Sequence, residues 1–155
     1  MNNSEALTSM KELIPLISES LSNGGTARIS PRGTSMLPMI CQGIDSVVLS
    51  SAPEKLKKYD LPLYRRDNGT FVLHRITSVG ETYTCMGDNQ FIPEYGIRRE
   101  QVIAVVTAFY RGEKRYSTSS VCYMSYCRLW HHIRPIRKLW RRGIQWIRRH
   151  LKLHH

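Results

Sequence analysis

Leu61-Pro62-Leu63-Tyr64-Arg65-Arg66-Asp67-Asn68-Gly69-Thr70-Phe71-Val72-Leu73-His74-Arg75-Ile76-Thr77-Ser78 is two β-favouring runs on either side of an Asp-Asn-Gly turn. Asn-Gly tolerates the positive φ angles of tight hairpins, so residues 61–66 and 70–78 are predicted to pair as antiparallel strands. Pro62 removes a ladder hydrogen bond and fits only at an edge or at the start of a strand. Outward from this hairpin the pattern recurs. Residues 27–30, 46–50, 82–86 and 101–111 are short runs rich in Val, Ile, Tyr and Thr, separated by Gly, Asp, Asn and Pro. Upstream the period changes: Leu7, Met10, Leu13, Ile14, Ile17 and Leu21 recur at helical spacing, and Ser22-Asn23-Gly24-Gly25 ends the run. The expected fold is therefore mainly β, a small domain over residues 26–111 behind one amphipathic helix within residues 1–25, with Pro15 as a flaw in that helix.

The chain has 155 residues and a formal net charge of +11, from 23 Lys and Arg against 12 Asp and Glu. Residues 1–110 hold 11 of each sign, so the surplus lies in residues 111–155, together with all three Trp and five of the six His. A neutral body carries a cationic tail. Residues 112–127 read as a linker and residues 128–155 as a basic amphipathic helix, kinked or begun afresh near Pro135. Leu129, Ile133, Ile136, Trp140, Ile144, Ile147 and Leu151 recur every three or four residues, and Arg134, Arg137, Lys138, Arg141, Arg142, Arg148, Arg149 and Lys152 fill the other faces. Three readings suit such a helix: its apolar stripe packs on the body, it lies on an anionic membrane surface, or it binds nucleic acid.

The longest uncharged apolar run, near residues 102–110, is far below the roughly 18–20 residues of a spanning helix. The N-terminus has neither the basic region nor the cleavage site of a secretory signal. A cytoplasmic protein is expected, with the tail available for peripheral attachment to a membrane. Its four cysteines, Cys41, Cys85, Cys122 and Cys127, are then expected as free thiols. Cys122, Cys127, His131 and His132 could be arranged around zinc, but the spacing of the two cysteines is loose, and neither a metal nor another cofactor is expected.

Three short motifs could carry chemistry. In Gly33-Thr34-Ser35-Met36-Leu37-Pro38 a serine sits between Gly and Pro, where a sharp turn can present a hydroxyl beside free N–H groups. His74 is the only histidine of the body. In an alternating strand it shares a face with Val72 and Ile76, and apolar surroundings keep an imidazole neutral, the form a general base needs. In Met86-Gly87-Asp88-Asn89-Gln90 a carboxylate follows Gly at a strand end, and Asp88 could orient the imidazole as the third member of a triad. Each motif alone also has an ordinary reading, as a turn, a packed strand residue or hairpin chemistry.

Gly33-x-Ser35-Met36-x-Pro38, Leu73-His74-Arg75-Ile76 and Gly87-Asp88-Asn89, in that order, resemble the type I signal peptidase and LexA-like serine peptidase superfamily. The resemblance covers about residues 26–111 and includes residues 56–66, similar to the family's segment leading into its first long strand. It implies that Ser35 is the nucleophile, with Thr34, Met36 and Pro38 at the oxyanion and substrate-binding positions. The residue before the second motif's Arg is Lys in the usual bacterial enzymes and in the self-cleaving repressors, but His in the endoplasmic-reticulum type, so His74 implies the Ser-His branch. Asp88 matches that branch's Gly-Asp-Asn carboxylate, and a second acidic position is matched loosely by Glu94. Tyr59 stands where the family usually has Gly before Asp60, and no stretch of this sequence reads as the family's usual N-terminal membrane anchor. The implied activity is a serine endopeptidase cleaving a leader or signal-type peptide through an acyl-enzyme. The alternative is a non-catalytic relative that binds peptides, or nucleic acid through the tail.

Overall fold

The computed structural model describes residues 3–151, with side chains for residues 10–147 and 150. Leu7, Arg148, Arg149, Leu151 and Lys152, which the sequence places on helix faces, lie outside the described side chains. The chain begins with helix α1 (Asn3–Ser22), then runs through strands β1 (Ala27–Ile29), β2 (Asp45–Ser50), β3 (Pro62–Arg65), β4 (Phe71–Leu73), β5 (Arg75–Val79), β6 (Tyr83–Met86), β7 (Glu94–Ile97), β8 (Val102–Arg111) and β9 (Lys114–Ser117). It ends with helices α2 (Val121–His132) and α3 (Arg134–Leu151). The fold is mainly β, with one helix ahead of the sheets and two behind.

The strands form two antiparallel sheets. The larger has the order β1-β2-β8-β3-β4, with β9 also on β8, and the smaller is β5-β6-β7. The Asp67–Gly69 turn joins β3 to β4: Gly69 adopts φ 82° and the Arg66 N–H donates to the Thr70 carbonyl at 2.8 Å. Pro62 occupies the first position of β3, where the missing N–H is tolerated.

The expected strand over residues 70–78 is in fact two strands in different sheets. β4 pairs with β3, β5 pairs with β6, and His74 is the single residue between them. Alternation explains why the chain can change sheets there. Leu63 on β3 belongs to the apolar core beneath the larger sheet, whereas Tyr64 faces a second core with Ile76, Tyr83, Cys85 and Ile97. Neighbouring residues of one strand thus feed two cores, and His74 sits at the corner where the sheets meet.

α1 packs Met10, Ile14, Ile17 and Leu21 onto the first core, as the apolar spacing predicts, and accommodates Pro15 within the helix. Residues 112–127 are not a linker. Gly112 (φ 60°) turns the chain back as β9 along β8, Ser120 caps α2 through its side-chain oxygen, and Tyr123 and Cys127 are buried in the first core. The polar character of residues 112–120 reflects an exposed hairpin and a helix cap, so the body extends through α2. At Pro135 the tail begins a new helix, with Pro in the first turn where its missing N–H costs nothing. Among the described residues no helix is long and apolar enough to cross a membrane.

Candidate active site

Ser35 lies in the loop between β1 and β2. Buried Met36 and Ile40 pin this loop into the first core, the Gly33 N–H donates to Gln42 Oε1 at 2.6 Å, and the Ile40 N–H donates to the Met36 carbonyl. The Gly87–Asn89 loop supports the serine from behind. The Asn89 N–H donates to the Ser35 carbonyl at 2.8 Å, and Asn89 Nδ2 donates to the Thr34 carbonyl at 3.2 Å. A Cβ on Gly87 would lie 2.5 Å from the Ser35 carbonyl oxygen, so only glycine allows this approach. With its carbonyl held in this way, the Ser35 N–H engages no acceptor among the described residues. It is left free beside the hydroxyl.

His74 is 2% exposed. Its Nδ1 lies 2.9 Å from Glu94 Oε1, so the ring donates its Nδ1 proton to that carboxylate and Nε2 carries the lone pair. The Tyr64 hydroxyl donates to Glu94 Oε2 at 3.0 Å, and Arg66 grips both carboxylate oxygens in a fork through Nε and Nη2. Every buried side-chain nitrogen and oxygen among the described residues has a partner. His74 Nε2 makes no hydrogen bond among the described residues and so is not fully buried, and His74 lines the adjoining cleft.

Electrostatics fit the same assignment. Burial pushes the His74 pKa below its ordinary 6.5, outweighing the Glu94 carboxylate, which raises it. Burial alone would raise Glu94, but hydrogen bonds from Arg66, the charge of His74 and the Tyr64 hydroxyl hold it below the usual carboxylate range. Burial, then Cys85 and Glu94, push the Tyr64 phenol up, so it remains a donor. Near neutral pH the group is a neutral imidazole held by an anionic carboxylate.

The carboxylate on the ring is therefore Glu94, in place of Asp88 as first assigned. Both Asp88 oxygens are occupied by Arg75, with Nε to Oδ1 at 2.8 Å and Nη2 to Oδ2 at 2.7 Å, in a pair that is almost fully buried. Arg75 also donates to the Tyr123 hydroxyl at 2.6 Å and to Cys127 Sγ at 2.9 Å. Asp88 thus ties the loop behind Ser35 to β5 and α2. Tyr64 and Arg66 had no sequence signal, because their contact with Glu94 bridges 28 to 30 residues of chain.

Ser35 and His74 line one cleft of about 270 Å³ together with Met36, Phe71 and Leu73. No direct hydrogen bond joins Ser35 Oγ to His74 among the described residues. A second, broader groove that also includes Ser35 is lined by Thr34, Asn89, Phe91, Ile92, Glu94 and Arg141. Thr34 holds the loop through its carbonyl, Met36 anchors it in the core, and Pro38 is exposed away from both clefts. No protein-family model matches the chain, and no curated protein matches it either.

Proposed function

We propose that the chain is a serine endopeptidase working through Ser35, His74 and Glu94. The observation that carries this reading is the His74–Glu94 contact. It fixes the tautomer that leaves the Nε2 lone pair free, and His74 and Ser35 line the same cleft. His74 Nε2 takes the Ser35 proton as Oγ attacks a peptide carbonyl, and Glu94 stabilises the imidazolium that forms. The free Ser35 N–H is suitably placed as an oxyanion donor. His74 then protonates the leaving amine, and water activated by the same imidazole releases the acyl group from Ser35.

The edge of β4 supports an extended substrate. β4 is the last strand of the larger sheet, pairs among the described residues only with β3, and runs directly into His74. A peptide laid along Phe71–Leu73 would carry its carbonyl toward Ser35, with side chains entering the cleft between Phe71, Leu73 and Met36. The order of the three motifs, similar to signal peptidases and LexA-like peptidases, favours a leader or signal-type peptide as substrate.

The test is cleavage of a proteome-derived peptide library, read as new termini by mass spectrometry. The wild-type chain should generate new termini, and Ser35→Ala and His74→Ala should generate none while keeping the wild-type circular dichroism spectrum. Undiminished cleavage by either variant, or no cleavage by the wild type, rejects the reading.

A further inference from the structure

α3 is amphipathic, but its apolar side faces away from the protein. Ile136, Leu139, Trp140, Trp146 and Ile147 fall on one helical face and are each at least half exposed. Cations on the opposite side point inward. Arg137 Nη2 donates to the Asp88 carbonyl at 2.9 Å, and its guanidinium lies 3.5 Å from the Trp130 ring centroid. Arg141 lies over the Phe91 ring and reaches the Asn89 carbonyl. A helix that merely completed a water-soluble body would bury Trp140 and Trp146 and expose Arg137 and Arg141. This one exposes Trp140 and Trp146 and turns Arg137, which is half-buried, and Arg141 toward the body.

We propose that this face docks on an anionic lipid bilayer. α3 holds seven Arg and Lys and no acidic residue, so its charge complements an anionic surface. The same charge argues against a second copy of the chain as occupant. Two such helices packed through their apolar faces would bring two strongly cationic axes to about 8–10 Å with no acidic residue on either to offset the repulsion. Exposed Lys138 and Arg142 flank the apolar face, and two Trp among aliphatic residues suit the headgroup boundary, where an indole has one apolar side and one polar edge.

The experiment is co-sedimentation of the full chain with vesicles of phosphatidylcholine alone and of phosphatidylcholine mixed with phosphatidylglycerol, with Trp emission as a second readout. Affinity should be at least about tenfold higher for the mixed vesicles, with a blue shift of Trp emission and weakening as salt rises. The double variant Leu139→Gln/Trp140→Gln should lose about tenfold in binding at an unchanged melting temperature, since both positions are exposed. Val121→Gln, at an exposed apolar residue outside this face, should bind as the wild type does. Equal binding to both vesicle types, or binding undiminished in the double variant, overturns the proposal. So does binding to polyglutamate or duplex DNA that anionic vesicles fail to compete. None of these readouts involves hydrolysis, so the proposal and the peptidase reading can fail separately.

Discussion

At the residue scale, Glu94 and Asp88 are two carboxylates with separable jobs. Glu94→Gln keeps the shape but removes the charge that stabilises the His74 imidazolium, so kcat should fall by about 10²–10⁴. Asp88→Ala leaves the Arg75 guanidinium buried without its ion partner, which costs about 3–5 kcal/mol and should show as a large fall in melting temperature. Kinetics and thermal melts on both variants check the division. If Asp88→Ala were as stable as wild type and Glu94→Gln fully active, the assignment would be reversed.

Glycine and its absence matter at two other positions. Gly87→Ala drives a methyl group against the Ser35 carbonyl and should cost about 1–3 kcal/mol, with an activity loss on the order of 10² from the displaced nucleophile. Tyr59, where the resemblance implied Gly, has φ 79°, a left-handed conformation that strains any residue with a Cβ. Both Tyr59→Gly and Tyr59→Ala lose the ring's packing against His131, but only Gly also relieves the strain. The Gly variant should therefore melt higher than the Ala variant, by about 1 kcal/mol of stability, against the usual order of the two residues. Chemical denaturation of the pair decides it.

At the element scale, the hairpin at 67–69, α1 and the long β8 were legible, because each carries a strong local signal of turn chemistry or apolar period. Ser35 and His74 stood out because each is the unusual residue of its segment, and the structure places both on one cleft. The division of residues 70–78 between two sheets was not legible. Phe71–Val79 contains no Gly, Pro, Asn or Asp to mark a break, and the change of sheet depends on β6 competing with β3 for the strand. β7 and β9 were missed because they are short, polar and paired only through long-range contacts, and Glu94 was left as a loose match for the same reason. α2 was read as linker and tail because its buried contribution is confined to Tyr123 and Cys127. Truncation separates the two C-terminal helices. Ending the chain after Ile133 should leave a folded body, since α3 buries little. Ending it after Gly112 removes β9 and α2, strips Arg75 of Tyr123 and Cys127, and should abolish the cooperative melt.

At the scale of the whole molecule, two small sheets meet at one residue, and that residue is the candidate base. Its depressed pKa gives a pH profile with a definite sign. The neutral ring is the active form, so the acid limb of kcat/KM should lie below the 6.5 of a free imidazole. Glu94→Gln removes the charge that raises the His74 pKa, so the limb should move further to the acid side as the rate falls. A limb moving toward neutral pH in that variant would mean that Glu94 does not act on the ring.

The central claim is that Ser35 becomes acylated with His74 as its base. The most direct test is to expose the chain to a peptide activated ester, quench in acid and map the adduct by mass spectrometry of proteolytic fragments. The expected result is one acyl group, on Ser35, absent in Ser35→Ala and strongly reduced in His74→Ala. An adduct elsewhere, or equal labelling of Ser35 without the His74 imidazole, would contradict it.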